Sequence, residues 1–212
     1  MTVSAPWPKL RRNLVTILRG VTPVEIVGIG TAIFEAGIEA IEIPLNSPDP
    51  FVSIEKLAKA LPNALVGAGT VLTPEDVARL NDAGGRLLVS PNVDADVLKA
   101  AAGFGMVTMP GVFTATEAFL ALRCGASALK FFPANVIGAN GIAALRAVLP
   151  KDTVVGAVGG VSDADFAAYA KAGVTAFGLG SSLYKPGLDA ADVATRAKAA
   201  VIAYDAVFKA SL

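Results

Sequence analysis

The chain has 212 residues, of which 54% are apolar and 17% charged, and its eighteen basic residues balance eighteen acidic ones. This composition excludes a disordered chain, and the absence of a basic surplus argues against nucleic-acid binding. The chain has no histidine and one cysteine, Cys124, which excludes an internal disulfide, histidine-containing zinc sites and histidine acid–base catalysis. We recognise neither a signal peptide nor an apolar run long enough to span a membrane, so we expect a protein of the reducing cytoplasm.

Short apolar runs alternate with alanine-rich amphipathic stretches along the chain. The runs predict strands over residues 14–19, 40–45, 65–71, 86–90, 106–110, 128–132, 153–158 and 175–180. The stretches between them predict helices, of which the best marked cover residues 22–37, 73–84, 114–125 and 162–173. Thr22 with Glu25, and Thr114 with Glu117, have the spacing of capping boxes, and glycines stand where these helices end.

Eight strands that alternate with helices in about 200 residues favour an α/β protein with a (β/α)8 TIM-barrel fold. Since no internal linker is visible, we expect one domain over residues 1–212. An open doubly wound sheet is the alternative, but no G-x-G-x-x-G motif follows the first strand. In a barrel the active site is built where the strands end, so functional side chains are expected at that rim.

Two charged residues lie in strands that are otherwise apolar, Lys130 in SALKFFPA and Glu42 in AIEIPLNSP. Burial would lower the pKa of Lys130 toward neutrality, and an unprotonated amine can attack a carbonyl group to form a Schiff base. The alternation of side chains along a strand would direct Glu42 into the barrel, where it could pair with Lys130 and move protons. A solvated ammonium group at Lys130 and a structural salt bridge at Glu42 are the alternatives.

Further polar residues and glycines lie at predicted strand ends. Arg19 ends the first strand, where a guanidinium group suits a carboxylate or phosphate, with an ordinary surface arginine as the alternative. Thr70 ends the third strand, where a hydroxyl group often only caps the next helix, but Thr73 is better placed for that cap, which leaves Thr70 freer for a ligand. Glycine turns follow the seventh and eighth strands, where barrels often hold phosphate, although such turns also arise for steric reasons. The turn residues are Gly159, Gly160, Gly180 and Ser181.

These residues together indicate class I aldol chemistry on a small phosphorylated keto acid. A phosphosugar isomerase or a non-catalytic phosphosugar-binding barrel is the alternative from another class, and it would not need Lys130 and Glu42 together. Neighbouring aromatic residues are interpreted as packing residues rather than as a cofactor site; they are Phe131, Phe132 and Tyr184.

The chain resembles the aldolases of 2-keto-3-deoxy-6-phospho sugar acids at motifs that run along nearly its whole length. The motifs are ILRG at 17–20, E-x-P-L at 42–45, GAGTVL at 67–72, SPN at 90–92, PG at 110–111, LKFFPA at 129–134, GGV at 159–161 and GLGSSLYKPG at 178–187. The resemblance implies a homotrimeric barrel without metal or organic cofactor, with Lys130 as the Schiff-base residue and Glu42 as the general acid–base. It also implies substrate contacts at Arg19, Thr70, Pro91, Val158, Gly159, Gly160, Gly180 and Ser181.

Three features are similar to the 6-phosphogalactonate branch of these aldolases. The segment Leu45-Asn46-Ser47-Pro48 stands where phosphogluconate-type enzymes typically read L-R-T-P, and the chain carries Arg19 as well as Val158, where the sister branch has threonine. This branch implies cleavage of 2-dehydro-3-deoxy-6-phosphogalactonate to pyruvate and D-glyceraldehyde 3-phosphate in galactonate breakdown, without nucleic-acid or membrane partners. The alternatives are the phosphogluconate epimer, or both epimers.

Overall fold

Each apolar run forms a parallel strand, and the stretch after it forms a helix, in a computed structural model that describes residues 4–208. The strands are β1 Leu14–Ile17, β2 Ala40–Pro44, β3 Leu65–Gly69, β4 Leu87–Val89, β5 Val107–Met109, β6 Gly111–Val112, β7 Leu129–Phe131, β8 Val155–Val158 and β9 Ala176–Leu179. The helices are α1 Ile26–Glu35, α2 Pro50–Ala60, α3 Pro74–Asp82, α4 Ala95–Gly103, α5 Ala115–Arg123, α6 Ala134–Arg146, α7 Phe166–Lys171 and α8 Ala190–Phe208.

The strands close into a barrel through β5 and β6, which are two parts of one chain segment separated by Pro110. β5 pairs with β4, whereas β6 pairs with β7. Pro110 has no amide hydrogen for the ladder, but its carbonyl accepts a hydrogen bond from the Lys130 amide at 2.9 Å. The predicted (β/α)8 barrel is therefore confirmed, and the single strand predicted over 106–110 is corrected to two segments.

Strand side chains alternate between two apolar layers. On β2, Ile41 and Ile43 belong to the layer between the sheet and the helices, whereas Ala40 belongs to the layer inside the barrel. Glu42 shares the inward face with Ala40, as predicted from the period of two. The barrel interior is therefore a packed core that is interrupted by a few polar side chains near its carboxyl rim.

The segment before β1 covers the opposite end of the barrel. Ala5 forms a bridge with Val107, and Trp7 and Leu10 pack against the inner apolar layer. The Trp7 indole N–H donates to the Asn13 side-chain oxygen at 3.0 Å, which fixes the ring. This segment therefore has a structural role that sequence patterning left unassigned. The predicted single domain covers residues 1–212. It includes residues outside the described range 4–208, so it stays a prediction.

Helix starts follow the predicted capping residues with one exception. Thr73 caps α3, and Thr114 with Glu117 forms a capping box at α5. The helix predicted from residue 22 begins only at Ile26. The Glu25 carboxylate still accepts the Thr22 amide, as the predicted capping box requires, and the Thr22 carbonyl accepts the Glu25 and Ile26 amides, so a turn leads into the helix. Within residues 4–208, no helix has both the length and the apolar character needed to cross a membrane.

Candidate active site

Lys130 lies on β7 and points into the barrel near the carboxyl rim. Its residue is 6% exposed, and its ammonium group donates to the Ser90 carbonyl oxygen at 3.2 Å. The same nitrogen lies 4.6 Å from the centre of the Phe132 ring. The lysine is thus buried with one hydrogen bond, and the alternative of a solvated ammonium group is wrong.

Glu42 lies on β2 and is 2% exposed. Its Oε2 atom is buried without a hydrogen-bond partner. Gly69 on the neighbouring strand β3 makes room for this carboxylate, because a Cβ atom at Gly69 would collide with both carboxylate oxygens. The ion pairs found within residues 4–208 do not join Glu42 to Lys130 or Arg19, so the predicted alternative of a structural salt bridge is wrong.

Burial acts in opposite directions on these two residues, which we call the buried pair. Burial raises the pKa of Glu42 to about 7, against the opposing effect of the Lys130 and Arg19 charges. Burial lowers the pKa of Lys130 to about 8, against the opposing effect of the Glu42 charge, while Arg19 lowers it further. The pair can therefore supply an unprotonated amine and an exchangeable carboxyl proton near neutral pH.

A cavity of about 470 Å³ opens at the carboxyl rim, and we call it the rim cavity. Phe132 and Ile17 both line it, and they connect it to the buried pair. Phe132 contacts the Lys130 ammonium group, and Ile17 is the β1 partner of Glu42 in the strand register. Six predicted substrate-binding residues also line the rim cavity, namely Arg19, Val158, Gly159, Gly160, Gly180 and Ser181.

The rim cavity has the composition of an anion site. Arg19 and Lys185 give it two basic side chains, and the Arg19 guanidinium donates to the Asn46 side-chain oxygen at 2.6 Å. Gly159 and Gly160 both have positive φ angles, of 94° and 67°, in the turn after β8. Fixed guanidinium donors and glycine-turn amides suit a carboxylate or a phosphate group.

Thr70 and Pro91 do not line the rim cavity, but each directly follows in the chain a residue that lies against the buried pair, Gly69 or Ser90. Thr70 follows Gly69 and has a φ of 57°, a conformation that costs energy for a β-branched residue and is often found at functional sites. Pro91 follows Ser90, whose carbonyl accepts the hydrogen bond from Lys130. Both predicted residues are therefore next in sequence to contacts of the buried pair and, unlike the glycine turns, do not line the rim cavity.

Sequence reasoning missed several cavity residues. Phe131 and Tyr184 are buried in the outer apolar layer and Phe132 packs against the inner one, as predicted, but Phe132 and Tyr184 also line the rim cavity. The period of two would have identified Phe132, which shares the inward face of its strand with Lys130. Lys185 follows a glycine turn, a signal that was available, whereas no pattern identified Tyr184. Among residues 4–208, no three potential metal ligands of the His, Cys, Asp or Glu type come together.

Comparisons with known proteins agree with this geometry. The family model described as KDPG and KHG aldolase matches residues 9–209. A probable 2-dehydro-3-deoxy-6-phosphogalactonate aldolase of Rhizobium meliloti is 60% identical over 204 residues, which are 96% of each chain. The 2-dehydro-3-deoxy-6-phosphogalactonate aldolase of Escherichia coli is 48% identical, over 90% of this chain and 94% of its own. A solved structure described as native KDPGal has a TM-score of 0.94 at 45% identity and covers 96% of this chain and 99% of its own.

Proposed function

Because the chain belongs to the KDPG and KHG aldolase family, we propose that it cleaves 2-dehydro-3-deoxy-6-phosphogalactonate to pyruvate and D-glyceraldehyde 3-phosphate. The observation that carries this proposal is the buried pair, Lys130 and Glu42, next to a cavity with basic side chains. The galactonate specificity is supported by the names of the two relatives described above.

The reaction begins when the unprotonated Lys130 amine attacks the C2 keto carbon of the substrate. Loss of water from the resulting carbinolamine gives an iminium ion, and Glu42 supplies the proton for the departing hydroxyl group. The Glu42 carboxylate then accepts the proton of the C4 hydroxyl group while the C3–C4 bond breaks. The electron pair of that bond moves into the iminium ion, which becomes an enamine, and D-glyceraldehyde 3-phosphate leaves. Protonation of the enamine at C3 and hydrolysis release pyruvate and restore the amine.

The anionic ends of the substrate are assigned to the two sides of the site. The phosphate group binds between Arg19 and the glycine turns, whose residues are Gly159, Gly160, Gly180 and Ser181. The pyruvyl end lies against Thr70 and Pro91, beside the buried pair. Binding energy from the distant phosphate thus orients the reacting carbons toward Lys130 and Glu42.

The second candidate substrate is 2-dehydro-3-deoxy-6-phosphogluconate, which differs from 2-dehydro-3-deoxy-6-phosphogalactonate only in its configuration at C4. Val158 lines the rim cavity with a side chain that cannot form a hydrogen bond, so it offers no partner to a hydroxyl group that points toward it. A difference of about 1–3 kcal/mol between the epimers corresponds to roughly 10- to 200-fold in kcat/KM. Such a difference biases the enzyme toward one epimer without excluding the other.

Parallel cleavage assays on the two purified epimers test this proposal. We expect both to yield pyruvate, with kcat/KM at least about tenfold higher for the galacto epimer. A higher kcat/KM for the gluco epimer would contradict the assigned specificity. No pyruvate from either epimer would instead favour a phosphosugar isomerase or a binding protein.

We also propose that the protein works as a cytoplasmic homotrimer in galactonate breakdown, without a metal or organic cofactor. Large apolar side chains on the surface support subunit contact, among them Val24, 94% exposed, and Val136, 68% exposed. Light scattering should give about three times the mass of the 21.5 kDa chain, and a monomer would contradict this assignment. Activity that is lost on dialysis against a chelator, and restored by a divalent metal, would contradict the absence of a metal.

A further inference from the structure

The segment after β9, residues 180–186, forms a tight turn that we call the β9 turn. The amides of Leu183 and Tyr184 both donate to the Gly180 carbonyl oxygen at 2.9 Å. The turn brings Ser181 and Ser182 to the lining of the rim cavity. The distance between the β9 turn and Arg19 therefore determines how well one phosphate group can contact the turn and the arginine together.

A hydrogen bond links the β9 turn to the start of α1. The Tyr184 ring lines the rim cavity, the residue is only 3% exposed, and its hydroxyl group donates to Oε1 of Glu25 at 2.7 Å. The same carboxylate oxygen accepts the Thr22 amide at 3.2 Å. Glu25 thus joins the loop that follows the first strand to the loop that follows the last strand.

A second contact places the β9 turn against the Arg19 backbone. A Cβ atom on Gly20 would lie 2.8 Å from Cγ of Pro186, so the proline packs directly on this glycine. On the other side, the Gly20 amide donates to the Ser47 hydroxyl oxygen at 3.0 Å. The residue after Arg19 is therefore held between the β9 turn and the loop after β2.

We propose that Tyr184 and Glu25 are positioning residues for phosphate recognition, and that their hydrogen bond holds the β9 turn at the correct distance from Arg19. This inference rests on the proposed function, and it adds two residues that act through Arg19 and the turn. Two groups that bind one anion together gain affinity when their separation is fixed before binding. Loss of the hydrogen bond therefore weakens phosphate binding without altering the chemistry at Lys130.

Tyr184→Phe removes only the hydroxyl group and is the direct test. We expect the KM for the phosphorylated substrate to rise about tenfold, which is the effect of losing one hydrogen bond to a charged group. The kcat should stay within about twofold of the wild-type value. The rate at which borohydride traps pyruvate on Lys130 should stay unchanged, because pyruvate has no phosphate group. A change limited to the phosphorylated substrate is not expected from a general loss of folding.

Variants at Glu25 provide an independent test. Glu25→Ala should raise KM at least as much as Tyr184→Phe does, and the double variant should be no worse than Glu25→Ala alone, because Glu25→Ala already removes the hydrogen bond that Tyr184→Phe removes. Glu25→Gln should keep a KM near that of the wild type, since its amide oxygen still accepts from Tyr184 and Thr22. If Tyr184→Phe does not fold, Glu25→Ala against Glu25→Gln gives the same comparison.

Tyr204→Phe is the matched control, since Tyr204 is also buried and its hydroxyl group donates to the Thr175 carbonyl at the opposite end of the barrel. We expect no kinetic change from it. The inference is overturned if Tyr184→Phe leaves KM unchanged, or if it slows pyruvate trapping as much as it weakens phosphate binding. A wild-type protein that does not cleave the phosphorylated substrate would overturn the proposed function instead, so the two failures are distinguishable.

Discussion

Lys130 and Glu42 lie on opposite parts of the barrel wall, and neither forms an ion pair with the other within the described residues. For each group the effect of burial exceeds the effect of the opposite charge. The neutral amine of Lys130 and the neutral acid of Glu42 are therefore both accessible near physiological pH. Imine formation requires the neutral amine, and dehydration of the carbinolamine requires the neutral acid.

The pH dependence of the reaction follows from this balance. Only the unprotonated Lys130 amine is reactive, so kcat/KM should fall as the pH drops below the lysine pKa of about 8, instead of below the ordinary value of 10.5. In Glu42→Gln the carboxylate no longer stabilises the ammonium form, so the pKa of Lys130 decreases and the midpoint for imine trapping moves to lower pH. A midpoint that moves upward would contradict this assignment of the charges.

Gly69 gives a second test of the buried carboxylate. In Gly69→Ala the new methyl group must displace the Glu42 side chain, so we expect kcat to fall roughly 100-fold while the barrel still folds. Gly103→Ala on α4 is the matched control, because its Cβ atom would meet no atom within 4 Å. Equal activities of the two variants would show that the position of the Glu42 carboxylate does not limit the rate.

Sequence patterning identified the two charged residues in apolar strands. Burial of a charge costs free energy, so a charged residue in an apolar strand is unusual and stands out in the sequence. This reasoning found Lys130 and Glu42, which are buried, and the glycine turns, which line the rim cavity. It did not find Tyr184, whose ring has the pattern of an ordinary packing residue. Its pairing with Glu25 depends on a contact between residues 159 positions apart, which no local pattern encodes.

Among the elements, all eight apolar runs form strands, and the helices after several of them begin at predicted capping residues such as Thr73 and Thr114. The strands are shorter than predicted, since end residues of the runs belong to loops, such as Thr70 at the carboxyl rim and Thr175 at the opposite end of the barrel. The break at Pro110 was missed because the barrel closes there, and closure depends on which strands are neighbours in space. Local sequence therefore defines the elements better than it defines their ends.

The N-terminal segment is an element whose role only the structure shows. Trp7→Ala should lower the free energy of unfolding by about 2–3 kcal/mol, because it removes part of the apolar cover of the inner layer. Its kcat and KM should stay near the wild-type values, since Trp7 lies at the barrel end away from the rim cavity. Denaturant unfolding measures the loss, with Trp7→Phe as a milder control. An unchanged midpoint would contradict a stabilising role for this segment.

In the whole molecule, one rim brings the buried pair, proposed as the reactive groups, next to the rim cavity, proposed as the phosphate site. Ligands that bind only the folded state raise its stability, so inorganic phosphate at about ten times its dissociation constant should add about 1.4 kcal/mol and raise Tm by roughly 3–6 °C. We expect Lys130→Ala to keep this shift while losing turnover, and Arg19→Ala to lose most of the shift. A shift that survives Arg19→Ala would place the phosphate elsewhere.

The barrel architecture explains why residues that are distant in the sequence could be predicted to share one rim. In a (β/α)8 barrel all strands end at one rim, so residues far apart in the chain converge there once the strands are identified. Subunit contacts have no such rule, and the exposed apolar side chains of this chain lie on several helices and loops. The proposed homotrimer therefore rests mainly on family membership, whereas the proposed site also rests on the burial of Lys130 and Glu42 and on the lining of the rim cavity.

Imine chemistry at Lys130 can be tested by incubating the protein with pyruvate and borohydride and mapping the modified peptide by mass spectrometry. We predict a reduced pyruvyl adduct on Lys130, formed faster as the pH rises toward 8, and no adduct in Lys130→Ala. The absence of an adduct under conditions that trap a known imine aldolase, or an adduct on another lysine, would contradict imine formation at Lys130.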